Sequence, residues 1–403
     1  MNSATQVFTS IAANYLPKAR VLARSIQRVA PDAHFCLMLV DDAPHNFDLD
    51  SEPFDSVLSL SDLGLENPRG WAFSHSVVEL CTAVKGRAMQ HLLNRPQTQR
   101  VFYFDPDMVI FGRFAELEQG LSEASILLTP HQSEPELGLE AIMDNEMASL
   151  KHGVFNMGFV GVAHTAEGQR FASWWADRLT HFCLDDISRG LFTDQKWANL
   201  VPCFFDDYRV LRSPAFNVAT WNITTREVVG SWEEGFTVNG EPLGFYHFSG
   251  FDSGDQALML NKYGANSTTL KALRSWYVDA CNEDGQSAVG DYPYGYGTYD
   301  NGDIIQPAER RLYRARIDLQ QAFPDPFSAE PKGGFGHWYR LNVGSDAPVE
   351  NTLSVGDETP TRDALQCFSQ WIRQRAMGHG HSLKRWVLMG LSRLLQILSR
   401  GAG

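Results

Sequence analysis

Apolar and polar positions alternate in short blocks over the first 250 residues of this chain. Residues 6–12 (QVFTSIA) make a compact apolar run of strand length. Tyr15, Ala19, Leu22, Ile26 and Val29 then recur at spacings of four and three, which predicts a helix with one buried face. Asn14 is placed to cap that helix, and Pro17 falls in its first turn, where a missing N–H costs little. Residues 34–40 (HFCLMLV) are continuously apolar and end in Asp41-Asp42, the pattern of a strand buried on both faces. A helix over 76–94 and a strand over 100–104 (RVFYF) follow, with further strands expected at 125–130 (SILLTP) and 154–162 (VFNMGFVGV).

This alternation predicts an α/β fold, with a mostly parallel, Rossmann-like sheet flanked by helices. In such sheets ligands bind beyond the carboxyl ends of the strands, so the residues just after each apolar run are where chemistry is expected. Neither G-x-G-x-x-G nor G-x-x-x-x-G-K-[ST] is present, which removes the dinucleotide and P-loop fingerprints. Beyond residue 265 the pattern changes. A helix over 269–281 leads to an aromatic, glycine-rich loop at 291–303 (DYPYGYGTYDNGD) and a basic helix over 308–323. The polar stretch 344–363 reads as a linker. The expected organisation is a catalytic domain over 1–265, a helical and aromatic-loop extension over 266–343, the linker, and an amphipathic helical tail over 364–403.

Composition narrows the function. The 403 residues include 48 acidic and 34 basic ones, a formal net charge of −14, and nucleic-acid binding needs a basic face. An acidic protein can still hold a phosphorylated ligand where a cation offsets the repulsion. The six cysteines show no zinc or redox spacing, and Cys36 and Cys203 lie in apolar runs that predict buried thiols. A reducing cytoplasm is the expected compartment. The N-terminus has no signal-peptide pattern, and no apolar stretch reaches the ~18 residues of a membrane span. In the tail, residues 381–400 place Lys384, Arg385, Arg393 and Arg400 beside Trp386 and several leucines. That composition suits peripheral contact with the inner face of an anionic membrane, or equally a helix docked on the protein's own surface.

The segment RVFYFDPDMVIFG carries the most chemistry. A buried strand ends in Asp105-Pro106-Asp107, and apolar residues resume at once. Two carboxylates so close would repel and resist desolvation, whereas Mg²⁺ or Mn²⁺ favours such hard oxygen ligands together with substrate phosphates. A surface Asx turn is the plainer alternative for the same tripeptide.

Five blocks taken in order resemble the retaining glycosyltransferases of the GT-A fold, family 8, the group of bacterial lipopolysaccharide galactosyltransferases and glycogenin. They are VFTSIAANYLPKARVLARSI near the N-terminus, FYFDPDMVI, FNMGFVGV at 155–162, TDQKWANL at 193–200 and FYHFSG at 245–250. The resemblance implies a nucleotide-diphosphate sugar donor, UDP-sugar being expected, and a glycan or lipid-linked acceptor, as in lipopolysaccharide or polysaccharide biosynthesis. It implies that His247 joins Asp105 and Asp107 as ligands to Mn²⁺ or Mg²⁺. It also implies catalytic positions for Asn156, Asp194 and Gln195 near the transferred sugar. Thr9, Asn14, Tyr15, Lys85, Asp105 and Gly250 would contact the donor, with Tyr15 stacked on the base. Structural alternatives exist for each: a helix N-cap for Asp194, a turn-pinning amide for Asn156, a core aromatic for Tyr15.

Two departures stand out. Ala12-Ala13 replaces an acidic pair that contacts uracil in the family, and Phe251-Asp252-Ser253 follows Gly250 where a diphosphate-binding lysine is expected. Lys85 or Arg87 is a candidate for the missing charge. The aromatic loop Tyr292–Tyr299 is either an acceptor platform or a packing element. A sugar nucleotidyltransferase and a non-catalytic sugar-nucleotide-binding scaffold are the rival functions. The former lacks its glycine-rich loop after the first strand, and the intact acidic and histidine set argues against the latter.

Overall fold

The computed structural model describes residues 3–45 and 47–343. The expected linker at 344–363 and tail at 364–403 lie outside the described residues. Seven strands form the central sheet: β1 (Thr5–Ile11), β2 (His34–Leu39), β3 (Ser56–Leu58), β4 (Arg100–Phe104), β6 (Ile126–Pro130), β7 (Phe155–Ala163) and β10 (Tyr208–Val210). Their order is β10-β6-β7-β4-β1-β2-β3. β1 runs parallel to both β2 and β4, β2 to β3, and β6 to β10, whereas β7 is antiparallel to β4 and β6. β4 ends as the sequence pattern expects. The antiparallel sense of β7 did not show in its uniformly apolar sequence, because a strand buried on both faces looks the same in either direction.

Helices cover both faces. The Leu16–Val29 and Phe114–Glu123 helices bury Leu16, Ala19, Leu22, Ile26, Phe114 and Leu117 in one core. On the other face, the Val77–Leu93 and Ala166–Phe182 helices bury Leu80, Val84, Met89, Phe171 and Trp175. A capping box between Ser76 and Glu79 fixes the start of the Val77–Leu93 helix. That helix presses closely on its neighbour at Gly86, where a Cβ would stand 2.6 Å from the Ala176 Cα. The close approach settles the helix that carries Lys85. Asn14 does not cap the first helix: it lies in a 3-10 turn (Ala13–Tyr15), and the N-cap residue, Tyr15, makes no side-chain cap bond. The chain had already begun to coil at Ala13, two residues before the apolar stripe starts.

Three smaller sheets accompany the central one among the described residues. β8 (Leu184–Asp186) pairs with β9 (Leu191–Thr193), and β11 (Val228–Ser231), β12 (Gly235–Val238) and β13 (Glu241–Pro242) form a meander. β14 (Phe245–His247) pairs antiparallel with β5 (Met108–Ile110).

The segment after residue 265 packs into shared cores. Leu270, Leu273, Tyr277 and Cys281 of the Thr268–Glu283 helix lie with Val21, Val109, Val218 and Tyr246. The expected helix over 308–323 is two helices, Pro307–Ala315 and Ile317–Ala322, because Arg316 is extended (φ −122°, ψ 98°). The basic residues there serve carbonyls: Arg310 donates to Phe73 O and His75 O, each at 3.0 Å. In the aromatic loop Tyr299 is buried against Phe73, and Tyr294 packs on the core that holds Leu80, Val84 and Trp175. Cys203 is exposed, contrary to expectation, because the one-turn Val201–Phe204 helix buries Val201 and Phe205 and turns 203 outward. Among the described residues no helix is long and apolar enough to cross a membrane.

Candidate active site

The end of β4 and the β5–β14 pair bring three distant side chains together. Asp105 and Asp107 flank Pro106 in the tight connection from β4 to β5, where the Asp105 amide donates to Gly158 O at 2.7 Å. The Met108 amide in turn donates to Asp105 O at 3.1 Å. β14 sets His247 opposite Met108, and the Phe248 amide donates to Asp107 O at 2.8 Å. These main-chain bonds fix where the three side chains start. His247 Nε2 stands 3.0 Å from Asp107 Oδ1 and 3.8 Å from Asp105 Oδ2. One ligand atom from each of the three residues lies within 4.8 Å of the other two.

Two carboxylate oxygens and an imidazole nitrogen in that arrangement suit a hard divalent cation such as Mg²⁺ or Mn²⁺. The electrostatics agree. Burial opposes a charge on His247, yet Asp107 and then Asp105 outweigh it and raise the imidazole pKa above its ordinary value. Burial also opposes ionisation of Asp107, and His247 followed by Lys18 brings its pKa below the usual carboxylate value. A proton on His247 offsets part of the charge of the two acids, and a divalent cation offsets all of it.

No protein-family model matches the chain. It is similar to the uncharacterised protein YfnF of Bacillus subtilis (strain 168), 25% identical over 255 residues, 60% of this chain and 80% of that protein. It is also similar to YfnD of the same organism, 26% identical over 248 residues, 60% of this chain and 76% of the relative. Among solved structures, one resembling it is the galactosyltransferase LgtC in complex with donor and acceptor sugar analogues. That match is 13% identical, spans 69% of this chain and 95% of LgtC, and has a TM-score of 0.38. Another is the glycosyltransferase GlyE of Streptococcus pneumoniae TIGR4, 16% identical over 74% of this chain and 67% of GlyE, TM-score 0.41. Mouse xyloside xylosyltransferase 1 is 14% identical over 62% of this chain and 98% of its own, TM-score 0.35. All three solved neighbours are glycosyltransferases.

Behind the acidic pair lies a buried cation. Lys85 Nζ stands 3.1 Å from Asp105 Oδ1, 2.9 Å from Asp194 Oδ2 and 3.2 Å from Met157 O. The Tyr103 hydroxyl also donates to Asp105 Oδ1 at 2.6 Å. One oxygen of Asp105 is thus committed to the protein, and the other, Oδ2, faces His247 and the cleft. Burial penalises the Lys85 charge, but Asp105 and Asp194 keep its pKa well above that of a free lysine. Burial raises the Asp194 carboxyl, with Lys85 limiting the rise. Asp194 occupies the N-cap position of the Gln195–Ala198 turn without making a side-chain cap bond. The preceding Thr193 holds a left-handed φ of +43°, a strained conformation for a β-branched residue. Arg87 points elsewhere and donates to Thr180 Oγ1 at 2.8 Å and Leu63 O at 3.1 Å.

Beside Asp105 is a nest of buried amides. Gln195 Oε1 accepts from the Met157 amide at 3.3 Å and from Asn156 Nδ2 at 3.4 Å, and Gln195 Nε2 donates to His152 O at 3.2 Å. Asn156 Nδ2 also approaches His131 Nε2 at 3.3 Å. Asn156 Oδ1, His131 Nδ1, Trp221 Nε1 and His247 Nδ1 are buried without a hydrogen-bond partner, as is Thr9 Oγ1 on β1. Buried polar atoms are normally satisfied, so several orphans in one cleft mark where a polar ligand supplies the missing partners.

Gly158 keeps this cleft open. A Cβ there would lie 2.8 Å from both Asp105 Oδ2 and Asn156 Oδ1, and 2.7 Å from Met108 Cε. Gly158→Ala is therefore expected to displace the free oxygen of Asp105 and weaken Mn²⁺ binding by on the order of tenfold, with the fold intact. Titration calorimetry with Mn²⁺ checks it, and an unchanged affinity would contradict this geometry.

The remaining candidates lie around the first helix. Tyr15 does not present a free hydroxyl: it donates to Asp252 Oδ2 at 2.6 Å. Asn14 is half-buried in the preceding turn, and Gly250 (φ +72°) turns the chain away after His247. Two participants escaped the sequence reading. His131 follows β6 where ligands are expected, but it carried no motif. Lys18 sits three residues after Tyr15 and four before Leu22, on the edge of the buried stripe, a spacing that singles out a lysine facing inward.

Proposed function

We propose that this chain is a metal-dependent glycosyltransferase that takes a sugar from a nucleoside-diphosphate donor, with UDP-sugar the expected form. The acceptor is a glycan or a lipid-linked sugar, and transfer proceeds with retention of configuration. The observation that carries this reading is the convergence of Asp105, Asp107 and His247 beside a cleft lined by unsatisfied buried polar atoms. A dication binding site next to unpaired hydrogen-bonding groups suits a ligand that is anionic at one end and polyhydroxylated at the other.

Asp105, Asp107 and His247 would hold Mn²⁺ or Mg²⁺, which supplies Lewis-acid stabilisation of the negative charge on the departing diphosphate. Tyr103 and Lys85 position Asp105 for that role through the oxygen they share. Asn156 Oδ1 is free to accept from a sugar hydroxyl, and Trp221 Nε1 and His131 Nδ1 offer further partners at the same cleft. Gln195 is oriented by Met157 and His152, and Asp194 by Lys85, so both face the reacting sugar with little freedom to lose on binding. Thr9 and Tyr15 would contact the nucleotide, with Gly250 in the loop that follows His247.

The test is donor hydrolysis across UDP-, GDP-, CDP- and ADP-sugars with and without Mn²⁺. Mn²⁺-dependent release of a nucleoside diphosphate is the expected result. Pyrophosphate release from a nucleoside triphosphate and a sugar phosphate would favour the nucleotidyltransferase instead. Binding of donor with no release under any condition would favour the scaffold.

A further inference from the structure

Lys18 is a buried cation whose partner, Asp252, follows five residues after His247. Its side chain is 2% exposed, in the first turn of the Leu16–Val29 helix, with Nζ 3.6 Å from the centre of the Tyr15 ring. An ammonium withdrawn from water needs an anion beside it. The anion present is Asp252, whose Oδ2 lies 2.5 Å from Lys18 Nζ and accepts from the Tyr15 hydroxyl as well. Among the described residues, Asp252 is the only carboxylate paired with Lys18.

The pair is mismatched in a telling way. Lys18 is enclosed by the fold, whereas the Asp252 side chain is 45% exposed. Asp252 stands on a short bend between Gly250 (φ +72°) and Gly254 (φ +86°), two left-handed glycines that let the segment reorient. A diphosphate held at Asp105, Asp107 and His247 brings its oxygens into this neighbourhood. A carboxylate left in place would repel them, while the Lys18 ammonium would welcome them.

We propose that Lys18 is the protein cation that contacts the donor's diphosphate, and that Asp252 is a placeholder anion which covers it until the donor arrives. On donor binding, phosphate oxygens replace the Asp252 carboxylate at Lys18, and the Gly250–Gly254 segment swings aside. The same exchange frees the Tyr15 hydroxyl from Asp252. The proposal rests on the glycosyltransferase reading and assigns the charge that neither Arg87, which points away, nor Lys85, which is committed to Asp105 and Asp194, provides.

The experiment is calorimetric titration of UDP, in saturating Mn²⁺, into the full chain and its variants. Lys18→Met is expected to weaken UDP binding by tenfold or more, as for loss of a charge-assisted hydrogen bond. Asp252→Asn is expected to tighten it by about three- to tenfold, because the competing anion is gone. In turnover, Asp252→Asn lowers donor KM without raising kcat. A gain of affinity cannot come from damage to the fold, so this variant keeps the proposal testable even if Lys18→Met is unstable. UDP binding by Lys18→Met at the parent's affinity would overturn the role of Lys18. Unchanged or weaker binding by Asp252→Asn would overturn the placeholder. Failure of the parent itself to bind UDP, GDP, CDP or ADP with Mn²⁺ would remove the glycosyltransferase reading and this inference with it.

Discussion

Asp107→Ala is expected to lower sugar transfer by a hundredfold or more while leaving the protein folded. The loss corresponds to about 3 kcal/mol of transition-state stabilisation, the scale of removing one group that stabilises developing charge. The structure explains why the fold survives. Asp107 is bonded to His247, and without it the imidazole no longer has the partner that raises its pKa, so it becomes neutral instead of remaining as an unpaired buried cation. Linkage gives the sign of the pH effect in metal-free protein. The raised His247 pKa stabilises the parent below the unfolded imidazole value and that contribution fades as pH rises through the folded value. The depressed Asp107 pKa stabilises it above the unfolded carboxylate value and is lost as pH falls. The stability deficit of Asp107→Ala is thus largest between about pH 4 and 6.5 and shrinks as pH rises through the folded imidazole value, while activity stays lowered throughout. Paired urea-denaturation and transfer assays across that range check it. Near-parental turnover at pH 8 would contradict the ligand role.

The largest expected loss of stability belongs to Lys85→Met. Asp105 and Asp194 share this ammonium, and removing it leaves the Asp194 carboxylate, buried and close to another acid, with no compensating charge. Breaking such a pair costs about 3–5 kcal/mol. Asp194 already has a raised pKa, so without Lys85 it takes up a proton more readily, and the deficit relative to the parent shrinks as pH is lowered from 8 to 5. Urea denaturation at both values measures this. A deficit that stays constant, or grows in acid, would show that Lys85 is not the counter-ion of these carboxylates. Lys85→Arg restores the charge and is expected to recover part of the stability, although its fork does not reproduce the compact Nζ contacts to Asp105, Asp194 and Met157.

Much of this architecture is local in origin, and that part can be read from sequence. The buried run Arg100–Phe104, the stripe from Tyr15 to Val29 and the abrupt acids after β4 are each contained in a short local stretch of the chain. The positions of Asp105 and Asp107 follow from them. Long-range pairing is what periodicity does not encode. His247 reaches Asp107 only because three residues of β14 align with three of β5, more than a hundred residues earlier. Nothing in FYHFSG by itself names that partner; the family resemblance pointed to it. The direction of β7 and the outward turn of Cys203 were hidden for the same reason. Charges were misjudged where the number of neighbours mattered more than the residue type. Arg87, two residues beyond Lys85 on the same helix, is spent on Thr180 and Leu63, while Lys18, passed over within an ordinary helix start, stands against Tyr15 and Asp252.

The central claim is that three side chains share one divalent ion. Anomalous diffraction at the manganese edge, from crystals of the full chain grown with Mn²⁺ and UDP, tests it most directly. The account predicts a single strong peak within coordination distance, about 2.0–2.3 Å, of Asp105, Asp107 and His247 Nε2, with phosphate oxygens on its open side. A manganese peak elsewhere, with these three residues empty and UDP bound, would contradict it.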